Sequence, residues 1–223
     1  MVALHVLMRE ICRSWQNSES LESMRHGLEF VVIPVGNTWG LNNGKRTNSN
    51  QIDINRQFPA NWVQLGVPGD FFYSGTAALS EAEAQHLYAA MVAEKPDVYF
   101  DVHSYGSWNK EGTSAWIALL NDKTTSAVIS AMTKIYAQYK KKYPWIVDID
   151  KLMDVSNEKL LGGGTSSKSA ATTGAVGGTF ESAWNLKNSP DGEPRGHTPA
   201  INFSTDLLAT CILQSLGVVI ASK

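Results

Sequence analysis

The sequence predicts an α/β fold: a mixed, largely parallel sheet covered by helices on both faces. Two observations carry this. Three short, largely apolar runs, at residues 30–35, 98–103 and 115–120, have the length and character of strands buried on both sides. Around them lie stretches whose apolar residues recur at helical spacing, so strands and helices alternate along the chain.

Leu4, Leu7, Met8, Ile11, Cys12 and Trp15 share one helical face, with Arg9, Glu10 and Arg13 between them. This predicts an amphipathic helix that breaks at Asn17–Ser20. Phe30-Val31-Val32-Ile33-Pro34-Val35 reads as the first buried strand. Residues 37–50, rich in Asn and Gly, read as a long loop. Ser80 is placed to cap a helix running to about Ala93, with Glu81 and Glu83 in its first turn. Residues 98–103 and 115–120 supply two further strands. Residues 125–141 form a helix with Val128, Ile129, Met132, Ile135 and Tyr136 on one face. Residues 162–178 are rich in Gly, Ser, Thr and Ala; the strand-like Gly178–Ala183 that follows argues for an ordered loop at a site. Residues 206–221 are largely apolar and suit a helix packed on a sheet. No internal repeat is evident.

At 223 residues the chain suits one domain, 1–223, with a sizeable core. Its 43% hydrophobic and 18% charged residues are ordinary for a soluble globular protein. A net charge of −2 gives no electrostatic case for nucleic acid or an anionic membrane. Lys140-Lys141-Lys142 reads as a solvated helix end. Cys12 and Cys211, far apart in sequence, read as small core residues. No apolar run reaches the roughly 18 residues of a membrane span. The first residues lack a basic start and a cleavage site, so no signal peptide is read and a cytoplasmic location is the default.

Four groups of residues can carry chemistry. His103 ends a strand and precedes a polar turn, where ligands of open α/β sheets bind. A histidine there can ligate zinc or serve as a simple hydrogen-bonded residue. Asp101, two residues back, can orient it. Glu181 ends another apolar run; a desolvated carboxylate there suits a general base, while a strand-end Glu is often only a surface residue. Arg56 offers a bidentate fork for a carboxylate, and Asn55 an amide donor. Arg46 offers a second cation over a developing oxyanion.

The order of these motifs resembles the zinc carboxypeptidase family. Arg46-Thr47-Asn48 through Asp53-Ile54-Asn55-Arg56-Gln57-Phe58-Pro59 is similar to that family's Arg-x-Asn and Asp-Leu-Asn-Arg-Asn-Phe-Pro segment. Tyr73-Ser74-Gly75 through Glu83 resembles its Ser-Glu-Pro-Glu helix start. Asp101-Val102-His103-Ser104-Tyr105 resembles its Asp-Leu-His-Ser-Tyr, and Gly178-Thr179-Phe180-Glu181 its Thr-x-Glu. Residues 30–40, with Pro34, Asn37 and Gly40, resemble the strand leading to its Asn-Pro-Asp-Gly turn.

The resemblance implies a zinc-dependent metallocarboxypeptidase that hydrolyses a C-terminal peptide bond. It implies His103 as a zinc ligand and Glu181 as general base. Arg46 would stabilise the oxyanion, and Asn55 with Arg56 would bind the free terminal carboxylate of a peptide. The slot lining the side-chain pocket falls near Ser166, and the family's assisting tyrosine falls near Lys159. A cis peptide between Ser104 and Tyr105 is also implied.

The family's His-x-x-Glu zinc motif precedes its first helix, and here that helix opens the sequence. The resemblance therefore implies an N-terminally truncated domain with its first strands missing and zinc doubtful in this chain. His26-Gly27-Leu28-Glu29 fits the motif literally but stands in the wrong slot. An uncovered apolar sheet edge is expected near Val31–Val35, with a homo-oligomer or a partner segment covering it. Two further readings are a catalytically dead binding or structural module, and a small-molecule amide deacylase of the aspartoacylase type.

Overall fold

The computed structural model describes residues 2–13, 19–105, 116–119, 153–154, 163–183 and 197–223, with helical positions 130–131, 133–134, 137–138 and 141 between them. Helix α1, Val2–Arg13, and helix α2, Glu19–Gly27, bury Leu7, Ile11 and Met24 in one core cluster. Cys12 is exposed, not in the core. It follows Ile11 by one residue, a rotation of about 100°, which carries it off the buried stripe.

The run from Phe30 to Val35 departs most from expectation. It is not a strand, and Val31, Val32 and Ile33 are 57%, 38% and 46% exposed. No described strand pairs with it. Pro34 has no N–H to give a ladder, and an unbroken apolar run has no period to fix a buried face. The next stretch holds a helix instead of a plain loop: α3, Thr38–Asn43, is capped by Asn37, whose side chain accepts from Gly40 N at 2.8 Å. Helix α4, Ala82–Glu94, starts two residues past Ser80. Ser80 is occupied elsewhere, its hydroxyl donating to Gln57 Oε1 at 3.0 Å.

The sheet has the order β1-β4-β2-β3 among the described residues. Strand β1, Val98–Tyr105, runs parallel to β4, Val176–Ala183. Strand β2, Trp116–Leu119, is antiparallel to β4 and parallel to the short β3, Met153–Asp154. The sheet is thus mixed. No cis peptide occurs among the described residues, so the bond between Ser104 and Tyr105 is trans. Both residues lie inside the regular β1·β4 ladder, paired with Ser182 and Ala183.

Helix α5, Ser166–Thr172, lies within the segment expected to be a loop; Thr165 caps it by accepting from Lys168 N. Helix α6, His197–Ser222, starts well before Asp206. Proline at 199 is no obstacle, because the first turn of a helix needs no donor there.

Strand alternation divides the two faces. Phe100, Val102 and Phe180 point to the α1–α6 side, where Leu208 and Cys211 complete the first core cluster. Tyr99 faces the other side and packs with Phe58, Met91, Ala170 and Ala175 from the Asn55–Pro59 region, α4 and α5. Asp101 and His103 share that second face. No helix among the described residues is long and apolar enough to cross a membrane.

Candidate active site

Ile52 and Ile54 are buried anchors, and Asp53 between them is 3% exposed. Asp53 caps a short 3-10 turn, Ile54–Arg56, by accepting from Asn55 N at 3.1 Å. Its Oδ2 accepts from Arg46 Nε and Nη2, both at 2.8 Å. One buried carboxylate therefore sets the turn and pins Arg46. Arg56 donates from Nη1 to Asn55 O at 2.7 Å, its one side-chain hydrogen bond among the described residues. Burial disfavours the Arg56 charge; Asp53 and Asp101 support it, Arg46 opposes it, and the net effect lowers its pKa. A partly buried cation whose nearest carboxylate already holds another arginine is well suited to an incoming anion.

Asn55 reaches the end of β1. Its Oδ1 accepts from Ser166 N at 2.9 Å, which fixes the amide so that Nδ2 lies 3.1 Å from His103 Nε2. Asp101 Oδ2 is 2.8 Å from the same ring nitrogen. A carboxylate only accepts, so Nε2 carries the proton and donates to Asp101. Asn55 Nδ2 then gives its hydrogen to Asp101 and not to the ring. The Ser166 hydroxyl also donates to Asp101 Oδ2. Burial works against charge on Asp101, but the His103 charge and donors from His103, Ser166 and Asn55 outweigh it, and its pKa is lowered.

This arrangement fits a metal-ligating histidine. In the neutral ring, with Nε2–H given to Asp101, the lone pair sits on Nδ1, the second-sphere pattern of carboxylate, histidine and metal. Ser166 is 5% exposed and braces Asn55 and Asp101 from beneath. Glu181 is the register partner of His103 on the adjacent parallel strand, so their backbones lie about 4.8 Å apart. The period of two puts residue 181 on the same face as Thr179, whose hydroxyl meets Ser167 Oγ at 2.6 Å. The Glu181 side chain and Lys159 lie outside what the structure describes. No described set of three or more His, Cys, Asp or Glu could hold a metal, so His26 and Glu29 do not join His103 in such a group.

Two connections the sequence did not announce hold the site together. A Cβ on Gly164, at φ +73°, would stand 2.5 Å from Arg56 O, so glycine lets α5 dock on the Asn55–Arg56 turn. Phe58 N donates to Gly164 O at 2.9 Å across the same contact. Gln57, fully buried, donates from Nε2 to Ser74 O and Ala77 O and accepts from Ser80 and Glu81 N. The Gly-rich composition was the available signal for the first; Gln57 gave none.

The fold thus sets Arg46 and the Asn55-Arg56 turn beside His103, two residues before the end of β1. Residues 2–147 match the family model described as zinc carboxypeptidase, and the chain belongs to that family of hydrolases. Carboxypeptidase B of Canis lupus familiaris is 31% identical over 117 residues, 44% of this chain and 28% of that protein. Carboxypeptidase O of Homo sapiens is 26% identical over 118 residues, covering 44% and 32%. A metallo-carboxypeptidase structure from Burkholderia cenocepacia superposes with a TM-score of 0.59 at 16% identity, over 96% of this chain and 52% of that one. Thrombin activatable fibrinolysis inhibitor gives 0.61 at 15%, over 98% and 56%. These structures share the fold. The chain spans about half their length, and its matched stretches span under a third of the curated relatives.

Proposed function

We propose that this chain works as a zinc-dependent metallocarboxypeptidase, hydrolysing the last peptide bond of a peptide with a free C-terminal carboxylate. The observation that carries this reading is the gathering of Arg46, Asn55 and Arg56 around buried Asp53, beside His103 and its partner Asp101. Arg56 receives the terminal carboxylate, which supplies the anion its partly buried guanidinium is short of. Asn55 keeps one Nδ2 hydrogen for the same carboxylate while its other bonds hold the turn to β1. Arg46 is fixed by two bonds to Asp53, and its remaining donors steady charge on the scissile oxygen. Glu181, beside His103 in register, takes a proton from the attacking water and returns it to the departing amine. His103 would hold zinc through Nδ1; bound there, zinc polarises a carbonyl and activates water.

The test compares a peptide with its C-terminally amidated twin. Wild type should cleave only the free acid. Arg56→Ala should lower kcat/KM on it by roughly 10- to 150-fold, the loss of one charge-assisted contact. Equal cleavage of acid and amide by wild type would sink the exopeptidase reading. Binding of the free acid without cleavage would favour a binding module.

A further inference from the structure

Two large aromatic rings stand on the surface next to the arginine pair. Phe71 and Phe72 are 56% and 41% exposed. Their rings meet edge to face, with centroids 4.8 Å apart at 89°. Arg46 Cζ lies 4.8 Å from both centroids, and Arg56 Cζ lies 5.1 Å from Phe72. Phe72 is thus the ring the two guanidinium groups share. Both rings sit on the segment that closes the site: Tyr73 O accepts from Asp53 N at 2.8 Å, and Asp53 holds Arg46.

Two facing cations repel, and Arg46 does oppose the charge on Arg56. Asp53 restrains only Arg46 through an ion pair. Arg56 is held by a single side-chain hydrogen bond, Nη1 to Asn55 O, and by no ion pair among the described residues, so a further contact is needed to keep its guanidinium beside Arg46 when no anion is present. The negative face of an aromatic ring does this without neutralising either cation, which a second carboxylate would do. We infer that Phe72, backed by Phe71, is a positioning residue that holds Arg46 and Arg56 together as one receptor for an anionic ligand. The inference rests on the carboxylate-binding reading above and adds a part to it. Exposed rings add little to a core, so their value lies in what they hold.

The experiment uses the whole 223-residue chain and a zinc-independent readout. N-acetylglycine and N-acetylglycinamide are titrated by NMR into wild type, Phe72→Leu, Phe72→Tyr and Arg56→Ala. Leucine keeps apolar bulk and removes the π face; tyrosine keeps it. Phe72→Leu should weaken N-acetylglycine binding by about three- to tenfold, and Phe72→Tyr should stay within about twofold of wild type. The Arg46 and Arg56 Nε–Hε resonances, shielded by the ring, should shift in Phe72→Leu and hold in Phe72→Tyr. Arg56→Ala separates the two claims. Loss of binding there with unchanged affinity in Phe72→Leu overturns the positioning role alone. Unchanged affinity in both overturns the carboxylate reading. Unshifted arginine resonances in Phe72→Leu overturn the ring contact itself.

Discussion

Asp101 takes hydrogen bonds from three parts of the chain: His103 on its own strand, Asn55 on the 3-10 turn and Ser166 at the start of α5. A carboxylate with three donors holds its charge despite burial. Ser166 matters most to this balance because it gives both its amide and its hydroxyl, to Asn55 and Asp101. Ser166→Ala removes the hydroxyl and leaves a partly buried carboxylate short of one donor. The expected cost is about 1–3 kcal/mol of unfolding free energy, read by urea denaturation. A cost under about 0.5 kcal/mol would mean that Asp101 does not depend on this bond. Asn55, Arg56, Asp101 and His103 could all be singled out from the sequence, since local order and residue chemistry mark them. The bracing by Ser166 could not, because its partner lies 65 residues away and no local pattern encodes that pairing.

At the scale of elements, periodic and flanking signals served well where a partner exists to enforce them. The runs at 98–103 and 178–183 became β1 and β4 because each had a neighbour for its ladder and a core on each face. The run at 30–35 is more apolar than either, but it has a proline and no described partner, and it stayed outside the sheet. Helix starts were less legible for a related reason. Ser80 looked like a cap, but tertiary contact with Gln57 claimed its hydroxyl first. The β1·β4 pairing positions residue 181 beside His103, and Gly177 permits it. Its φ is +121°, and a Cβ there would run into Tyr99 O. Gly177→Ala should therefore separate the strands or force the backbone to strain. We expect a loss above about 2 kcal/mol, a local strain of about 1–3 kcal/mol plus disrupted pairing. Amide hydrogen exchange should show it first at residues 98–101. Wild-type stability and exchange in this variant would refute the close approach.

For the whole molecule, the sheet has an acid on each side that the fold keeps protonated, Cys211 fully buried and Tyr99 partly buried. Cys211 sits in the cluster beneath α1 and α6, and burial pushes its thiol well above the ordinary 9.0. Tyr99 packs against α4 and α5, and burial first, then the Asp101 charge, push its hydroxyl well above the ordinary 10.0. Both groups ionise freely only when the chain unfolds. Their contribution to stability is whole below the unfolded values and falls as pH climbs through them toward the folded values. Each group costs about 1.4 kcal/mol per pH unit in that window. Unfolding free energy should thus decline from about pH 9 through Cys211, and more steeply above about pH 10 as Tyr99 joins. Cys211→Ala lowers stability at every pH by leaving a small cavity, but it should flatten the slope between pH 9 and 10. Tyr99→Phe should leave that first slope and flatten the second. Denaturation curves at half-unit pH steps read both slopes. A free energy constant from pH 8 to 10.5, or an unchanged slope in Cys211→Ala, would mean that the two sides of the sheet are open enough to water for these groups to ionise in place.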